Sequence, residues 1–257
     1  MTDTGLYVYA VARDLSEADL DQVTGLGSVP LRIVTHRGLD AVVSEVGLDE
    51  FGDDALRRNL EDLQWLERVA RSHDAVTRGV SSAAASAPLR LATICLSTER
   101  VQALLDEWHD ALVSALDRVQ GRDEWSVKLL VTRGANHGST VSSGAGTDER
   151  PGAAYLQRRR TAAEDKARAA AEAEALAEDV HAQLSGSVVA SRRLALQDAR
   201  LSGLQGTMVL NGAYLVDRDR TSAFTDLTGR LAAAHPSLQV EVQGPWPPYS
   251  FATLEAP

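Results

Sequence analysis

Residues 123–131 read DEWSVKLLV, and from Trp125 to Val131 an apolar side chain occupies every second position. Such alternation is typical of a strand that is buried on one face. Downstream of this strand, the sequence favours a helix, two further strands, a second helix and a last strand. This order predicts a ferredoxin-like βαββαβ domain, in which an antiparallel sheet carries both helices on one face. The apolar face of the first strand would consist of Trp125, Val127, Leu129 and Val131.

The elements that follow have distinct compositional signals. Residues 153–184 contain no glycine or proline and are rich in alanine, glutamate and arginine, which predicts a long helix. Residues 134–152 have almost no large side chain, so we expect a flexible loop inside the domain between the first strand and this helix. The remaining strands are predicted at 188–196, 207–217 and 238–243, and the second helix is predicted at 224–234.

The first half of the chain favours strands covered by helices. Residues 5–12, GLYVYAVA, are apolar on both faces and predict a central strand. An apolar residue recurs every three or four positions from Asp53 to Val80, which predicts one amphipathic helix of about seven turns. Other strands are predicted at 29–35, 39–46 and 88–96, and a helix capped by Ser97 or Thr98 continues to Gly121. We therefore expect an α+β protein with two domains, a mixed α/β sheet domain over 1–120 and the ferredoxin-like domain over 121–257.

The charge and hydropathy of the chain restrict its partners. The sequence has 36 acidic and 26 basic residues, a net charge of −10, which disfavours binding to nucleic acid or to an anionic membrane. Apolar runs do not reach the length of about 18 residues that a membrane-spanning helix needs, and the first residues lack the positive charge of a signal peptide. These features predict a cytoplasmic protein with no nucleic-acid or membrane partner.

Local motifs for catalysis or metal binding are absent from the sequence. The six histidines lie far apart, the single cysteine Cys95 sits in an apolar stretch, and neither a P-loop nor a GxSxG motif occurs. We therefore predict no catalytic residue, no metal site, no cofactor and no enzyme activity. His73 lies on the apolar stripe of its helix, where a hydrogen-bonded core histidine is the favoured interpretation over a ligand or a base.

Residues 244–251, GPWPPYSF, form a rigid aromatic cluster in a chain with only 5% aromatic residues. Its three prolines cannot donate a backbone hydrogen bond, so we expect the last strand to end near Gln243 and this segment to leave the sheet. The rings would then either pack on their own protein or anchor another protein. The candidates for tail docking or partner binding are Trp246, Tyr249 and Phe251.

Several stretches in order resemble the gas vesicle protein family GvpL/GvpF. They include GLYVYAVA at 5–12, APLRLAT at 87–93 and VKLLV at 127–131. The most specific are MVLNGAYLVDRDRTSAF at 208–224 and the segment GPWPPYSF. The sequence PLRLAT departs from the family pattern, which is closer to Pro-Leu-Arg-Phe-Gly-Thr.

The resemblance implies an accessory or minor structural protein of the gas vesicle that associates with the hydrophobic shell protein, and with other accessory proteins, during assembly. It also implies a family that is not known for catalysis and a C-terminal half with a modified ferredoxin-like fold. Two alternatives come from other classes of protein. One is a ferredoxin-like module that senses a small molecule. The other is an enzyme whose residues assemble only in space, with Arg90, His73 and nearby acidic residues as the first candidates.

Overall fold

The computed structural model describes residues 3–131, 151–197, 206–236 and 238–252. The chain is an α+β protein with two antiparallel sheets. It divides into two compact units, of which the first comprises Met1–Trp125, Leu215–Arg218 and Gly244–Pro257. The second unit comprises Ser126–Tyr214 and Asp219–Gln243. Most of the loop expected at 134–152 lies outside the described residues.

The first sheet is built around the strand predicted from GLYVYAVA. This strand, β1 (Thr4–Ala12), is almost completely buried because it lies between β3 on one side and β4 and β5 on the other. The hairpin of β2 (Arg32–His36) and β3 (Leu39–Gly47) turns at Arg37 and Gly38, which both have positive φ, at 50° and 76°. Positive φ at both central residues is the geometry of a tight hairpin turn. The remaining strands of this sheet are β4 (Ser86–Pro88) and β5 (Ile94–Cys95).

The prediction of a single helix from Asp53 to Val80 is wrong. The structure has α1 (Leu48–Phe51), α2 (Asp53–Asn59) and α3 (Leu63–Ala83). A separate helix begins after Asp62, because the carboxylate of Asp62 accepts hydrogen bonds from the backbone N–H groups of Gln64 and Trp65, at 2.9 and 3.3 Å. This is an N-cap, which starts a new helix with a new direction.

Two further predictions for the first half also need correction. The expected strand at 88–96 is interrupted, since β4 and β5 are separated by a turn in which Ala92 has a φ of 61°. The expected helix before Gly121 is divided at Trp108 into α4 (Thr98–Glu107) and α5 (His109–Val119). Ser97 caps α4, as the sequence predicted, by accepting the backbone N–H of Arg100 at 3.4 Å.

The second sheet has four strands in the order β7-β8-β6-β9. Its elements follow one another along the chain as strand, helix, strand, strand, helix, strand, which is the predicted order. Among the side chains of α6 whose burial is described, the buried ones lie in its last turns and are Ala177, Val180 and Leu184. The bounds are β6 (Arg122–Val131), α6 (Pro151–Ser185), β7 (Ala190–Arg193), β8 (Thr207–Asp217), α7 (Thr221–Ala234) and β9 (Leu238–Trp246).

The last strand continues further than the sequence indicated. We expected the ladder to end near Gln243, but β9 runs through Pro245 to Trp246. This is compatible with proline because β9 is an edge strand of its sheet, where one side of the backbone needs no partner. Gly244 has a φ of 154°, and a Cβ added there would lie 2.9 Å from the Trp125 ring, so this position requires glycine.

Candidate functional site

The first unit contains an open apolar groove of about 590 Å³, which we call the α3–α4 groove. One wall comes from α3, through Ala70, His73 and Asp74, and the opposite wall comes from Leu104 of α4 and Trp108 beyond it. Residues 88–91 and Thr93 form the floor between β4 and β5, and Tyr249 lies at the margin. A concave, mainly apolar surface of this size with a few polar groups is the usual form of a binding site.

A buried polar network holds the floor of the groove in place. The hydroxyl of Tyr7 accepts the backbone N–H of Ala92 at 2.9 Å and lies 3.0 Å from Nδ1 of His73. Since the hydroxyl oxygen already accepts one hydrogen bond, its own proton is available to the histidine nitrogen. A neutral imidazole at His73, with Nδ1 as the acceptor, is compatible with this pattern. The network therefore ties α3, β1 and the turn together.

The protonation of His73 agrees with this pattern. Burial lowers the pKa of His73 from 6.5 to about 4, and a backbone hydrogen bond with Leu89 and the charge of Asp74 oppose the shift only in part. The side chain is 5% exposed, and the rings of Tyr7 and Tyr9 lie 5.7 and 5.8 Å from it. His73 is thus a hydrogen-bonded core histidine, as the sequence predicted.

The turn between β4 and β5 exposes Arg90, whereas Leu91 and Ala92 are partly buried against the core. Its ends are fixed to β1, because Leu89 donates its backbone N–H to Tyr9 at 2.9 Å and Thr93 accepts from Val8 at 2.9 Å. Between these two points the positive φ of Ala92 reverses the chain, and the side chain of Arg90 is exposed. A guanidinium group consequently stands at the edge of an apolar groove.

The segment of residues 247–252, which we call the tail, docks on the first unit. Glu124, which is 8% exposed, accepts both the backbone N–H and the hydroxyl of Ser250, at 2.7 and 2.6 Å. Arg118 donates to the carbonyl of Phe251 at 3.2 Å. The hydroxyl of Tyr249 hydrogen-bonds with that of Thr77 on α3, and burial raises the pKa of this tyrosine.

The three aromatic candidates differ in their surroundings. Phe251 is 4% exposed and belongs to the core of the first unit. Tyr249 is half-buried and lines the α3–α4 groove. Trp246 is also half-buried, and the guanidinium carbon of Arg78 lies 4.2 Å from its ring centroid. Arg78 in turn donates to Asp74 at 2.8 Å, so the indole is linked to a residue of the groove wall.

A second concavity of about 920 Å³ lies beside the groove, and we call it the α2–α4 hollow. It extends from α1 and α2 to α4 and shares Leu104 and Trp108 with the groove. These two residues are one helical turn apart and form a ridge between the two concavities. The hollow carries charges of both signs, including Asp53, Asp54, Arg58, Arg100 and Glu107.

Among the described residues, no group of three or more histidine, cysteine, aspartate or glutamate side chains is arranged to hold a metal ion. The buried Cys95 has a raised pKa because burial disfavours the thiolate. In the same parts of the chain, no helix is long and apolar enough to cross a membrane.

Several residues of the groove were separate candidates on the sequence alone, and the sequence did not indicate that they lie together. His73 and Arg90 were candidates for a spatially assembled site, and Tyr249 was a candidate for docking; all three line the α3–α4 groove. The contributions of Ala70, Leu104 and Trp108 were missed, because on the sequence they belong to ordinary amphipathic stripes. Trp108 falls at the break between two helices, which is a feature of the structure and not of the sequence pattern.

Comparisons with known proteins give one consistent result. The sequence profile of the family described as gas vesicle synthesis protein GvpL/GvpF matches residues 5–253. Gas vesicle protein L of Streptomyces sp. (strain CB03234) is 41% identical over 98% of this chain and 94% of that protein. Gas vesicle protein F of the same strain is 27% identical over 95% of this chain and 98% of that protein. The crystal structure of the gas vesicle protein GvpF from Anabaena sp. PCC7120 has the same fold, with a TM-score of 0.70 and 19% identity, and the match covers 98% of this chain and 97% of that one.

Proposed function

This chain belongs to the gas vesicle protein GvpL/GvpF family, and we propose that it supports gas vesicle assembly by binding the hydrophobic shell protein. The observation that carries the proposal is the family match over residues 5–253, which includes both sheets and the docked tail. The family consists of gas vesicle proteins and is not known for enzymes. We therefore assign an accessory or minor structural role rather than a catalytic one.

The physical reason for such a partner lies in the shell subunit itself. A subunit that lines a gas space presents apolar surface and strand edges before assembly, and both promote aggregation. A strongly acidic chain that covers this surface would keep the complex dispersed through charge repulsion. It would then deliver the subunit to the growing wall, and we therefore propose a cytoplasmic location in association with the vesicle.

Two features of this chain support contact through a sheet edge or a groove. Strand β7 lies at the edge of the second sheet, and the apolar residues Val189, Leu194 and Leu196 beside it are 44%, 39% and 58% exposed. The α3–α4 groove offers a second apolar surface in the first unit. Apart from Tyr249, the lining residues of that groove lie in the first half of the chain, whereas a small-molecule sensor of ferredoxin-like type would have its site in the second half, and this favours the assembly role.

For the second half, we propose a modified ferredoxin-like domain that begins near Gly121 and covers 121–257. The order β7-β8-β6-β9 and the two intervening helices support this interpretation. In this proposal the first domain covers 1–120, and the tail of the second docks back on residues such as Thr77 and Arg118.

Co-expression with the shell protein tests the proposed function. The tagged chain is expected to retain the shell protein during affinity purification and to increase the soluble fraction of the shell protein. An unrelated acidic protein with the same tag and a similar size serves as the control. Recovery of no shell protein, in either its monomeric or its assembled form, would overturn the proposal.

A further inference from the structure

We infer that the α3–α4 groove, together with the adjoining ridge of Leu104 and Trp108, is a docking surface for an amphipathic helix of a partner protein that carries an acidic residue next to its apolar face. The inference rests on the proposed function only in that the partner is expected among gas vesicle proteins. To the proposed function it adds the docking surface, the helical form of the ligand and the charge that favours an acidic ligand.

The walls of the groove favour a helix as the occupant. They are formed by α3 and by α4 with its C-terminal residue Trp108, and the lining residues are one turn apart on each side, Ala70 with Asp74 and Leu104 with Trp108. A groove between two helices accepts side-chain ridges of a third helix, because residues three and four apart on a helix form such ridges. Helix-in-groove binding uses apolar anchors with this spacing.

The two adjoining concavities favour a polypeptide over a compact small molecule. The α3–α4 groove measures about 590 Å³ and the α2–α4 hollow about 920 Å³, and the Leu104–Trp108 ridge separates them. Leu96, which lines the hollow, is 69% exposed. An elongated ligand can place apolar side chains on both sides of the ridge, whereas a compact molecule would fill only one concavity.

The charge at the groove favours a partner that carries a negative charge. Asp74 and Arg90 are the charged residues that line the groove. Asp74 is already paired with Arg78 at 2.8 Å. The guanidinium of Arg90 is exposed and makes no hydrogen bond or ion pair with any residue in the described parts of the chain. A carboxylate on the partner would complement this cation at the margin of an apolar surface. In a chain of net charge −10, such a cation also counteracts the general repulsion of acidic partners.

Site-specific photo-crosslinking tests the inference. A benzoylphenylalanine replaces Leu104 in the full chain, in cells that express a complete set of gas vesicle genes. The matched control places the same residue at Leu63, which is 79% exposed and does not line the groove. The expected result is an adduct from position 104, and not from 63, with a gas vesicle protein whose crosslinked segment has helical apolar periodicity and an acidic residue.

The charge is tested in the same cells with Arg90→Glu and Arg90→Lys. Reversal should lower the yield of the adduct about threefold to tenfold, while lysine should retain most of it, because an exposed ion pair contributes modestly to binding. Thermal unfolding of the purified variants checks that both are folded.

Several outcomes would overturn the inference. These are equal adducts at both positions, no adduct at position 104, an adduct with a segment that lacks helical periodicity, an adduct with a small molecule, or no effect of Arg90→Glu. Co-purification of the shell protein is measured in parallel. If the shell protein is retained while position 104 gives no adduct, the docking surface is wrong and the proposed function stands.

Discussion

Ala92 adopts a backbone conformation that suits glycine, with a φ of 61° in the turn that forms the floor of the α3–α4 groove. It is also the position at which the family pattern Pro-Leu-Arg-Phe-Gly-Thr has glycine. The backbone N–H of Ala92 bonds to Tyr7 at 2.9 Å, which keeps the residue in this conformation. The turn therefore places an alanine in a conformation that favours glycine.

The Ala92→Gly variant should be more stable than the parent chain by about 1 kcal/mol, because a Cβ at positive φ costs about this amount and glycine removes it. Chemical denaturation measures the difference. The matched control is Ala103→Gly on the exposed side of α4, which should destabilise by about 1 kcal/mol. Destabilisation by both variants would show that the turn does not need glycine geometry.

His73 should make the stability of the protein depend on pH. The pKa is 6.5 for the unfolded chain and about 4 in the fold, so the unfolded state takes up the proton first as the pH falls. The stability that the neutral ring contributes is complete above about pH 6.5. It is lost progressively toward pH 4, by up to about 3 kcal/mol.

The measurement compares the free energy of unfolding at pH 7 and pH 4.5 in the parent and in His73→Gln. Glutamine keeps an acceptor for Tyr7 but does not titrate, so the variant should lose about 2 kcal/mol less than the parent over this interval. Equal losses in both proteins would mean that His73 is not neutral in the fold.

At the level of elements, the tail is held on the first unit by burial and by hydrogen bonds. Phe251→Ala should destabilise the first unit by about 3–5 kcal/mol, since its ring is 4% exposed. Trp246→Ala should cost less, because the half-buried indole contributes partial burial and a cation–π contact of about 1 kcal/mol with Arg78.

Melting temperatures measure both effects, and partner binding is measured on the same variants. We expect Trp246→Ala to lower the melting temperature before it lowers affinity for the shell protein. An unchanged melting temperature together with lost binding would instead make Trp246 an anchor for the partner.

The elements that the sequence predicted well are those whose pattern is local. The strands β1, β3 and β8 and the helices α6 and α7 follow directly from their periodicity and composition. The breaks at Asp62 and Trp108 could not be inferred from periodicity, because Leu60 and Leu63 continue the apolar stripe although they are 45% and 79% exposed.

The groove could not be derived from the sequence as a unit. Its parts are separated by up to 179 positions, from Ala70 to Tyr249, and they meet only because the turn after Pro88 is tied to β1 and the tail is tied to α3. The sequence singled out His73, Arg90 and Tyr249 individually through their chemistry. Their shared location depends on tertiary contacts that no local pattern encodes.

At the level of the whole molecule, this is an acidic protein that presents apolar surface at a sheet edge and in a groove. Val189, Leu194 and Leu196 represent the first surface, and Leu104 and Trp108 the second. Such surface is unfavourable in a protein that acts alone, and it is useful in one that covers another apolar chain. Family membership and surface chemistry thus support the same role.

The most direct test measures the dispersed fraction of the shell protein in cells that carry all other gas vesicle genes, with and without this chain. Sedimentation of lysates separates dispersed from aggregated shell protein, and electron microscopy counts the vesicles. We predict that removal of the chain lowers both the dispersed fraction and the number of vesicles, and that re-expression restores them. An unchanged dispersed fraction in cells without the chain would contradict the account, whether or not vesicles form.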